Sequence, residues 1–443
     1  MPKQSISATT RQIAVGQGGL MFCEVAVEQP FGQVSRLTVA FDCGSINREH
    51  LRQGIETLDR EELDILFISH LDADHVNGID LLLDQTKVNT VVLPCLDPLT
   101  TTAVVCSSLN AGGMTGDFRS FLVNPVTWFA QRGVGRVIFV PRGLDSDNGP
   151  LPFSPNDQGP PSGFVGDQPR QDKGRLPIHV TGDGQQGPKE QSTPAGKVLV
   201  QTLRAECALT VDLGIRGSMQ QLSWLLLPYV HPFPEARVKA FVEAVKSTLK
   251  IPDGEGLATP AFKKKLLDAL KEERTRTKLK ECYALLSRNN NKPSMSLYSG
   301  PYPNLGGLED GLYCHMRHGQ DVHFSRRFDQ SSYYWRFNKS QHGWLTTGDA
   351  DLSSKGTREA WLRRYEMLLE HVVVFVLPHH GSNSSIHDRV ITQVQGALAV
   401  ACAADGRVHH PHPILKERLA LHSMALCQVS ERIDSQLSFT LDL

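Results

Sequence analysis

Short apolar runs alternate with amphipathic stretches through the first hundred residues. The run at residues 63–68 is mostly apolar and predicts a buried strand. Residues 49–59 and 77–85 have the periodicity of helices on either side of it. This alternation of strand and helix indicates sheets that are covered by helices. The strands predicted in this part of the chain are residues 13–27, 37–41, 63–68 and 90–93.

The pattern changes twice before the alternation returns. Residues 142–197 are rich in Pro, Gly, Asp and Gln, which predicts a long loop without a core of its own. Residues 234–288 have a helical pattern. We therefore predict one domain from residues 1–100 and 289–443, interrupted by an insertion at residues 101–288. Further strands are predicted at residues 198–203, 208–213, 371–378, 398–402 and 436–443, the last of which is expected to complete the second sheet.

The composition is that of an ordinary soluble globular protein, with 40% hydrophobic and 21% charged residues among 443. The net charge of −1 provides no global field for nucleic acid, so such binding would need a local basic patch. The apolar runs fall far short of the ~20 residues that a membrane span needs, and the N-terminus lacks the apolar core of a signal peptide. Nine scattered cysteines without a C-x-x-C pair fit a reducing compartment. We therefore expect a cytoplasmic protein without a membrane segment.

Four potential metal ligands follow the strand at residues 63–68. They are His70, Asp72, Asp74 and His75, in the spacing H-x-D-x-D-H. A junction between a strand and a helix can point several short side chains at one spot, and imidazole and carboxylate groups bind hard to borderline cations. A helix cap alone calls for one Asp or Ser rather than two His and two Asp. This stretch therefore predicts a metal site.

Further candidates lie where other strands end. Asp349 closes a short strand, His379 and His380 follow the next apolar run, and His410 lies beyond the strand after that. The carboxyl ends of central strands are where α/β sheets place their chemistry. Asp42, at the end of an early strand, is a candidate to hydrogen-bond a metal-binding histidine and fix its orientation.

The H-x-D-x-D-H stretch resembles the metal-binding loop of the metallo-β-lactamase superfamily. With Asp72 at its third position and Ser69 before it, it looks most like the hydrolase domain of the ComEC family of DNA-uptake competence proteins. Other elements resemble that family's in the same order. They are V-G-Q-G at 15–18, D-C-G at 42–44, N-N-N-K-P-S at 289–294, T-G-D at 347–349, P-H-H-G-S at 378–382 and H-P at 410–411. The resemblance covers roughly residues 12–100 and 289–443.

The chain also departs from the family's pattern. Many relatives have a further metal-binding histidine after the next stretch of sheet, and this chain has none there. Cys95 or Asp97 could replace it, but nothing in the sequence selects either. The family's lysine before the paired histidines is replaced by Phe375 and Val376.

The resemblance implies an α/β fold of the αββα type, in which two mixed sheets pack face to face with helices outside and metals at one edge. It also implies two divalent metal ions, Zn²⁺ or Mn²⁺, with Mg²⁺ possible because Asp72 hardens the site. A carboxylate has two oxygens and can contact both ions. The implied ligands are His70 and Asp72 for one ion, Asp74 and His75 for the other, Asp349 between them and His380 as a further ligand.

The activity implied is hydrolysis of a phosphodiester in DNA or RNA by a metal-bridged hydroxide beside Asp74. His379, His380 or His410 would protonate the leaving group. One alternative is a hydrolase of a small ester, lactone or nucleotide. Another is a metal-stabilised interaction module that docks a protein partner through residues 101–288.

Residues 263–280 contain eight Lys or Arg against three acidic residues. Each phosphate that such a helix neutralises adds salt-dependent affinity for nucleic acid. The alternative is a solvated helix surface without a partner. The candidate nucleic-acid-binding residues are Lys263, Lys264, Lys271, Arg274, Arg276 and Lys278.

Overall fold

The computed structural model describes most of the chain and leaves several internal segments and both ends out. The described residues are 5–29, 32–95, 97–108, 120–121, 124–143, 174–182, 187–204, 207–216, 221–233, 235–252, 256–257, 259–269, 271–286, 294–301, 313–318, 321–325 and 341–442.

Nineteen strands are present among these residues. The first nine are β1 (Ser5–Gln12), β2 (Gly18–Glu28), β3 (Val34–Ser45), β4 (Glu62–Phe67), β5 (Lys87–Pro94), β6 (Arg136–Val140), β7 (Ile178–Thr181), β8 (Lys189–Thr193) and β9 (Gly196–Thr202). The others are β10 (Ala208–Arg216), β11 (Gln221–Val230), β12 (Met295–Pro301), β13 (Tyr313–His318), β14 (Asp321–Ser325), β15 (Gly343–Thr346), β16 (Val372–Val376), β17 (Leu398–Cys402), β18 (Leu426–Val429) and β19 (Leu437–Asp442).

Eleven α-helices connect these strands in the described part of the chain. They are α1 (Arg48–Glu56), α2 (Ala73–Val76), α3 (Ile79–Gln85), α4 (Pro98–Ser108), α5 (Pro125–Ala130), α6 (Glu235–Thr248), α7 (Pro260–Ala269), α8 (Glu273–Leu286), α9 (Lys355–Tyr365), α10 (Asp388–Gln393) and α11 (Pro413–Leu421).

The strands form two mixed sheets. The first sheet has 11 strands in the order β14-β13-β19-β1-β2-β3-β4-β5-β6-β9-β8, and the second has 8 in the order β18-β17-β16-β15-β12-β11-β10-β7. In the first sheet β3, β4, β5 and β6 are parallel. In the second sheet β15, β16, β17 and β18 are parallel. Each sheet therefore has a set of neighbouring strands whose carboxyl ends lie at one edge.

The two sheets pack face to face over one apolar core. Phe41 and Val92 of the first sheet belong to the same buried cluster as Leu226 and Val374 of the second. Helices α1 and α3 to α8 cover the outer face of the first sheet, and α9 to α11 cover that of the second. Strand β16 is buried along its whole length, as expected for a parallel strand covered on both faces. The predicted αββα sandwich is therefore confirmed.

The middle third of the chain contributes strands to both sheets. Strands β6, β8 and β9 lie in the first sheet, and β7, β10 and β11 lie in the second. The predicted strands at 198–203 and 208–213 are confirmed as β9 and β10, and the helical pattern at 234–288 corresponds to α6, α7 and α8. The division into a hydrolase domain and an insertion at 101–288 stays a prediction.

The Pro- and Gly-rich segment at 142–197 is only partly described. Its residues 144–173 and 183–186 lie outside the described chain. Two short strands, β7 and β8, fall within it where the composition predicted only loop. Both are edge strands of the described sheets. Strand β8 is largely exposed and polar, and β7 is only 4 residues long, so its alternating Ile178 and Val180 do not stand out in the surrounding Pro- and Gly-rich sequence.

One predicted strand begins later than expected, one strand was missed, and one predicted strand lies in the other sheet. The strand predicted at 13–27 begins only at Gly18, because Gly16 has a positive φ of 79° in the turn before it. The separate strand β1 was missed because its buried side carries Thr10 and Gln12, so its apolar alternation is weak. The C-terminal strand β19 pairs with β1 and therefore lies in the first sheet, not the second.

None of the helices in the described ranges has both the length and the apolar character that crossing a membrane requires.

Stability is expected to fall in acid partly through His342, which is 2% exposed. Burial, and then the stacked ring of His371 at a centroid distance of 5.1 Å, lower the pKa of His342 to about 3. The unfolded chain takes up this proton below pH ~6.5 while the folded chain does not, so the free energy of unfolding falls as the pH falls. Between pH ~6.5 and ~5 this one side chain is expected to remove about 2 kcal/mol.

Urea unfolding of the wild type and of His342→Phe at about pH 7.5 and about pH 5 measures this contribution. The Phe variant keeps a stacked ring but does not titrate, so its acid loss should be smaller by about 2 kcal/mol. His422→Phe, at a half-exposed histidine, is the control. An equal loss in all three proteins would contradict the assignment.

Candidate metal centre

The loop that follows β4 lies against the end of β3. Asp72 precedes the short helix α2, and His75 lies within that helix. Gly44 of β3 lies directly under this turn, where an added Cβ would come within 2.5 Å of the His75 backbone nitrogen. Only glycine allows the two backbones to approach so closely. Gly44, in the D-C-G element at 42–44, therefore allows the H-x-D-x-D-H loop to pack directly against the end of β3.

Asp42 holds this loop through three hydrogen bonds. Its Oδ1 accepts from the Ser69 backbone N–H at 2.7 Å, and its Oδ2 accepts from Ser69 Oγ at 2.7 Å. The same Oδ2 lies 2.8 Å from His75 Nδ1. Asp42 is 1% exposed and has a left-handed φ of 58°, a conformation that Asp tolerates better than most residues. Its expected contact with a histidine of the loop is present.

Asp349 comes to the loop from the second sheet. It follows β15, where Thr347 Oγ1 donates to the Val376 carbonyl at 2.8 Å and ties the turn to β16. The Asp349 backbone N–H donates to Ser294 Oγ at 3.0 Å. Ser294 precedes β12, whose first residue, Met295, donates its N–H to the Ser69 carbonyl at 2.8 Å. These bonds join the two halves of the site directly.

The paired histidines after β16 have an unusual backbone. His379 and His380 have left-handed φ values of 50° and 56°, and Gly381 continues the run at 83°. Two non-glycine residues in this region cost on the order of 1–2 kcal/mol each. The turn is held by a hydrogen bond of 2.9 Å from the His379 N–H to the Gly348 carbonyl. In this turn both imidazoles face Asp349.

Four histidines surround the Asp349 carboxylate. Its Oδ1 lies 3.5 Å from His75 Nε2 and 3.8 Å from His380 Nε2. Its Oδ2 lies 3.6 Å from His70 Nε2 and 3.9 Å from His379 Nε2. These separations exceed the ~2.7–3.2 Å of a good hydrogen bond. They match the spacing of ligands that share a cation, because two atoms ~2.1 Å from one tetrahedral ion lie about 3.4 Å apart.

Two overlapping sets of potential ligands result. The ligand atoms of His70, His75 and Asp349 lie within 4.8 Å of one another, and so do those of Asp74, His75 and His380. Within the second set His380 Nε2 lies 3.3 Å from Asp74 Oδ2.

The remaining candidates lie beside these sets. His70 Nε2 is 3.8 Å from Asp72 Oδ2. The ring of His410 lies 5.4 Å from that of His379 and 6.1 Å from that of His380. The structure thus brings together the eight residues predicted as metal ligands or proton carriers, but not Cys95 or Asp97, the two substitutes considered for the missing histidine.

Several buried atoms of the cluster have no hydrogen-bond partner among the described residues. They are His70 Nε2, His75 Nε2, His380 Nε2, Asp349 Oδ1 and His410 Nδ1. Leaving a buried polar atom unpaired costs on the order of 1–3 kcal/mol, so five in one place call for a ligand. The donor set of imidazole nitrogen and carboxylate oxygen fits divalent cations such as Zn²⁺ or Mn²⁺.

Charge and burial act against each other in this cluster. Burial disfavours the charged form of Asp349, but His379, His70 and His75 outweigh it and hold the pKa of the carboxyl well below its ordinary value. Burial also disfavours a charged His75, yet Asp42 and Asp349 raise its pKa well above the ordinary value. Burial lowers the pKa of His70. The cluster is therefore arranged to hold ionised carboxylates, which need cationic partners.

The candidate basic residues lie on and between α7 and α8, which cover the outer face of the first sheet. Lys264 of α7, Lys271, and Arg274 and Lys278 of α8 are exposed, and Arg276 is half-buried. The side chain of Lys263 lies outside the described part of the structure. Lys271 pairs with Asp268 at 2.7 Å, which neutralises part of the patch.

The helices that carry this patch are nevertheless connected to the site at both ends. They leave the second sheet after Val230 of β11 and return at Ser294, which contacts Asp349. Val230 pairs with Met295 across the two strands, so both ends of the helical segment lie at the same edge of the sheet.

Sequence reasoning missed two serines of the site. Ser69 contacts His70 Nδ1 at 2.9 Å, and Ser294 contacts the same atom at 3.4 Å from 224 residues away. The only sequence signals were the Ser that precedes the metal loop and the loose N-N-N-K-P-S match. Of the two substitutes considered for the missing histidine, Asp97 forms an ion pair with Arg142, and Cys95 belongs to neither ligand set of the described residues.

Gly44→Ala is expected to weaken metal binding without unfolding the protein. The added Cβ would collide with the Asp74 and His75 backbone at 2.5 Å and displace the loop. Calorimetric titration with Zn²⁺ should show an affinity loss of at least about tenfold. Gly356→Ala is the matched control, because its Cβ meets no atom within 4 Å. Unchanged affinity in Gly44→Ala would contradict the role of this contact.

No protein-family model matches this chain, and no curated protein matches it. Among solved structures, the chain is similar to one titled "Crystal structure of a long form RNase Z from yeast". The alignment has a TM-score of 0.29 and 8% sequence identity, and it covers 98% of this chain and 41% of the other. The chain thus spans about two fifths of the length of that protein.

Proposed function

We propose that this protein is a divalent-metal-dependent hydrolase that cleaves phosphodiester bonds in nucleic acid. The proposal rests on buried nitrogen and oxygen atoms from both sheets that lie together and have no hydrogen-bond partner among the described residues. His70 Nε2 and His75 Nε2 come from the first sheet, and Asp349 Oδ1 and His380 Nε2 come from the second. Such a set is costly to bury unless it binds cations.

Two cations would be held by groups that already lie together. His75 Nδ1 is occupied by Asp42, so His75 has one nitrogen left and can bind one ion only. His70, Asp72 and Asp349 Oδ2 would serve one ion, and Asp74, His380 and Asp349 Oδ1 the other, with His75 in reach of both sets. When bound, such a pair of Zn²⁺ or Mn²⁺ ions supplies Lewis acidity and a water of lowered pKa.

The remaining histidines suit proton transfer to a leaving group. The side chain of His379 is 22% exposed, and His410 is also half-buried, so a substrate can reach both. His379 Nδ1 lies 3.4 Å from Ser385 Oγ, which restrains its ring. Burial lowers the pKa of both histidines, that of His410 to about 4, so both are neutral before the reaction. Their adjacent rings would take up the proton that the attacking water loses and pass it to the departing alkoxide.

Nucleic acid is the substrate class favoured by the helices α6 to α8. They carry the basic residues Lys264, Arg274 and Lys278 on exposed positions. Because both ends of this segment lie at the edge of the site, a strand bound along it would extend toward Asp349. A charged polymer gains affinity from each neutralised phosphate, which a small ester cannot.

Cleavage is expected to need the ligand set that contains Asp74 and His380. Asp74→Asn and His380→Gln should each lower kcat/KM for an oligonucleotide in Mn²⁺ or Zn²⁺ by at least about a hundredfold, because each removes a group facing the reaction. Asp84→Asn, at an exposed carboxylate of α3, is the control and should keep full activity.

The choice of substrate separates this proposal from its alternatives. A panel of single-stranded and double-stranded oligonucleotides, bis-nitrophenyl phosphate and nitrophenyl esters should give turnover of the phosphodiesters alone. Turnover of the esters alone would indicate a small-ester hydrolase. A metal-loaded, folded protein that cleaves nothing would contradict an enzymatic function.

The basic helices are expected to set the salt dependence of binding. Replacing Lys264, Arg274 and Lys278 together by Gln should reduce the slope of log Kd against log salt by about 2 for a single-stranded oligonucleotide. Fluorescence anisotropy in EDTA measures this without cleavage. Replacing the exposed Lys189, Lys355 and Lys416 by Gln changes the charge equally and is the control. Equal slopes for the two triple variants would indicate that α7 and α8 are an ordinary solvated surface.

A further inference from the structure

We infer that Ser69 is a positioning residue through which Asp42 fixes the proton of His70, so that one carboxylate sets the orientation of both histidines of the loop. The contacts of Asp42, Ser69 and His70 carry this inference. The position of the His70 proton does not depend on the proposed metal site. Only the expected effect of Ser69 on metal affinity rests on that proposal.

Asp42 can only accept in this arrangement. The Ser69 backbone N–H is a donor by nature and lies 2.7 Å from Oδ1. Ser69 Oγ, at 2.7 Å, and His75 Nδ1, at 2.8 Å, approach Oδ2. An oxygen pair this close without a hydrogen between them would bring two lone pairs together, so the Ser69 hydroxyl must point its hydrogen at Asp42.

The direction of the next bond follows from the single hydrogen of a hydroxyl. Because Ser69 donates it to Asp42, Ser69 Oγ has only lone pairs left for His70 Nδ1 at 2.9 Å. The hydrogen in that contact must therefore sit on His70 Nδ1. Ser294 Oγ lies farther away, at 3.4 Å, and contributes less.

The proton on Nδ1 leaves the other nitrogen of His70 free. Nε2 then presents its lone pair toward Asp72 and Asp349, at 3.8 and 3.6 Å. A neutral imidazole binds a cation only through its unprotonated nitrogen, so the opposite tautomer would place a hydrogen where the cation belongs. The direct bond to Asp42 likewise places a proton on His75 Nδ1 and directs its Nε2 toward the site.

Among the described residues, Ser294 Oγ is the other oxygen near His70 Nδ1, but it lies 3.4 Å away and already accepts the Asp349 N–H at 3.0 Å. Ser69 is 0% exposed, so the site is closed to bulk water. Gly348 packs against it, since an added Cβ there would lie 2.9 Å from Ser69 Cβ. Loss of the hydroxyl therefore leaves the His70 ring without its main acceptor.

Nuclear magnetic resonance of metal-free protein with ¹⁵N-labelled histidine tests the proton position directly. In the wild type at about pH 8 the long-range ¹H–¹⁵N pattern of His70 should be that of the Nδ1–H tautomer. Ser69→Ala should shift His70 to the other tautomer or to a mixture, and Ser69→Thr, which keeps the hydroxyl, should restore it. An Nε2–H tautomer in the wild type would overturn the inference.

A double-mutant cycle with Zn²⁺ tests whether Ser69 acts through Asp42. Ser69→Ala alone should weaken Zn²⁺ binding on the order of 10–100-fold. In an Asp42→Asn background the same substitution should have little further effect, because the relay is already broken. Ser45→Ala removes another fully buried hydroxyl, which bonds the Val15 carbonyl at 2.6 Å, and should leave Zn²⁺ affinity unchanged.

The outcomes separate this inference from the proposed function. Additive losses in the cycle, or an equal loss in Ser45→Ala, would overturn the relay even if the enzyme cleaves nucleic acid. Absence of Zn²⁺ binding in the wild type would contradict the proposed function, while the tautomer of His70 in metal-free protein would still decide the relay.

Discussion

The structure depends on keeping one carboxylate, Asp349, ionised in a buried place. The residue is 5% exposed, and a lone charge removed from water at that depth would be strongly destabilising. Four imidazoles surround it, two facing each oxygen. A histidine that takes up a proton offsets this charge but loses the lone pair that binds metal, whereas cations placed between the carboxylate and neutral imidazoles would satisfy both partners. The proposed metal ions would therefore supply the positive charge that the buried Asp349 carboxylate requires.

The αββα architecture meets this requirement by bringing two sets of strand ends to one edge. Strands β3 and β4 present Asp42 and the His70 loop, while β15 and β16 present Asp349 and the paired histidines. The link between them is made of backbone contacts, such as Met295 N–H to the Ser69 carbonyl. The left-handed turn after β16 is tolerated because the packed strands around it fix its position.

The sequence predicts the chemistry of this site better than the scaffold that carries it. The H-x-D-x-D-H loop and the paired histidines follow strongly apolar runs. The sequence therefore indicates both the buried strands and the potential ligands at their ends. The pairing of β1 with β19 is not, because it joins residues more than four hundred apart and the buried side of β1 carries polar Thr10 and Gln12. Ser294 was missed for the same reason, since its contacts with His70 and Asp349 exist only after the chain has folded.

The most direct test of this account is anomalous X-ray diffraction from crystals of the protein saturated with Zn²⁺ or Mn²⁺. Two metal peaks are expected, one bonded to His70 Nε2 and one to His380 Nε2, with the Asp349 carboxylate in contact with both. A saturated crystal with its metals bound elsewhere, and with the Asp349 oxygens paired only to histidine protons, would contradict it.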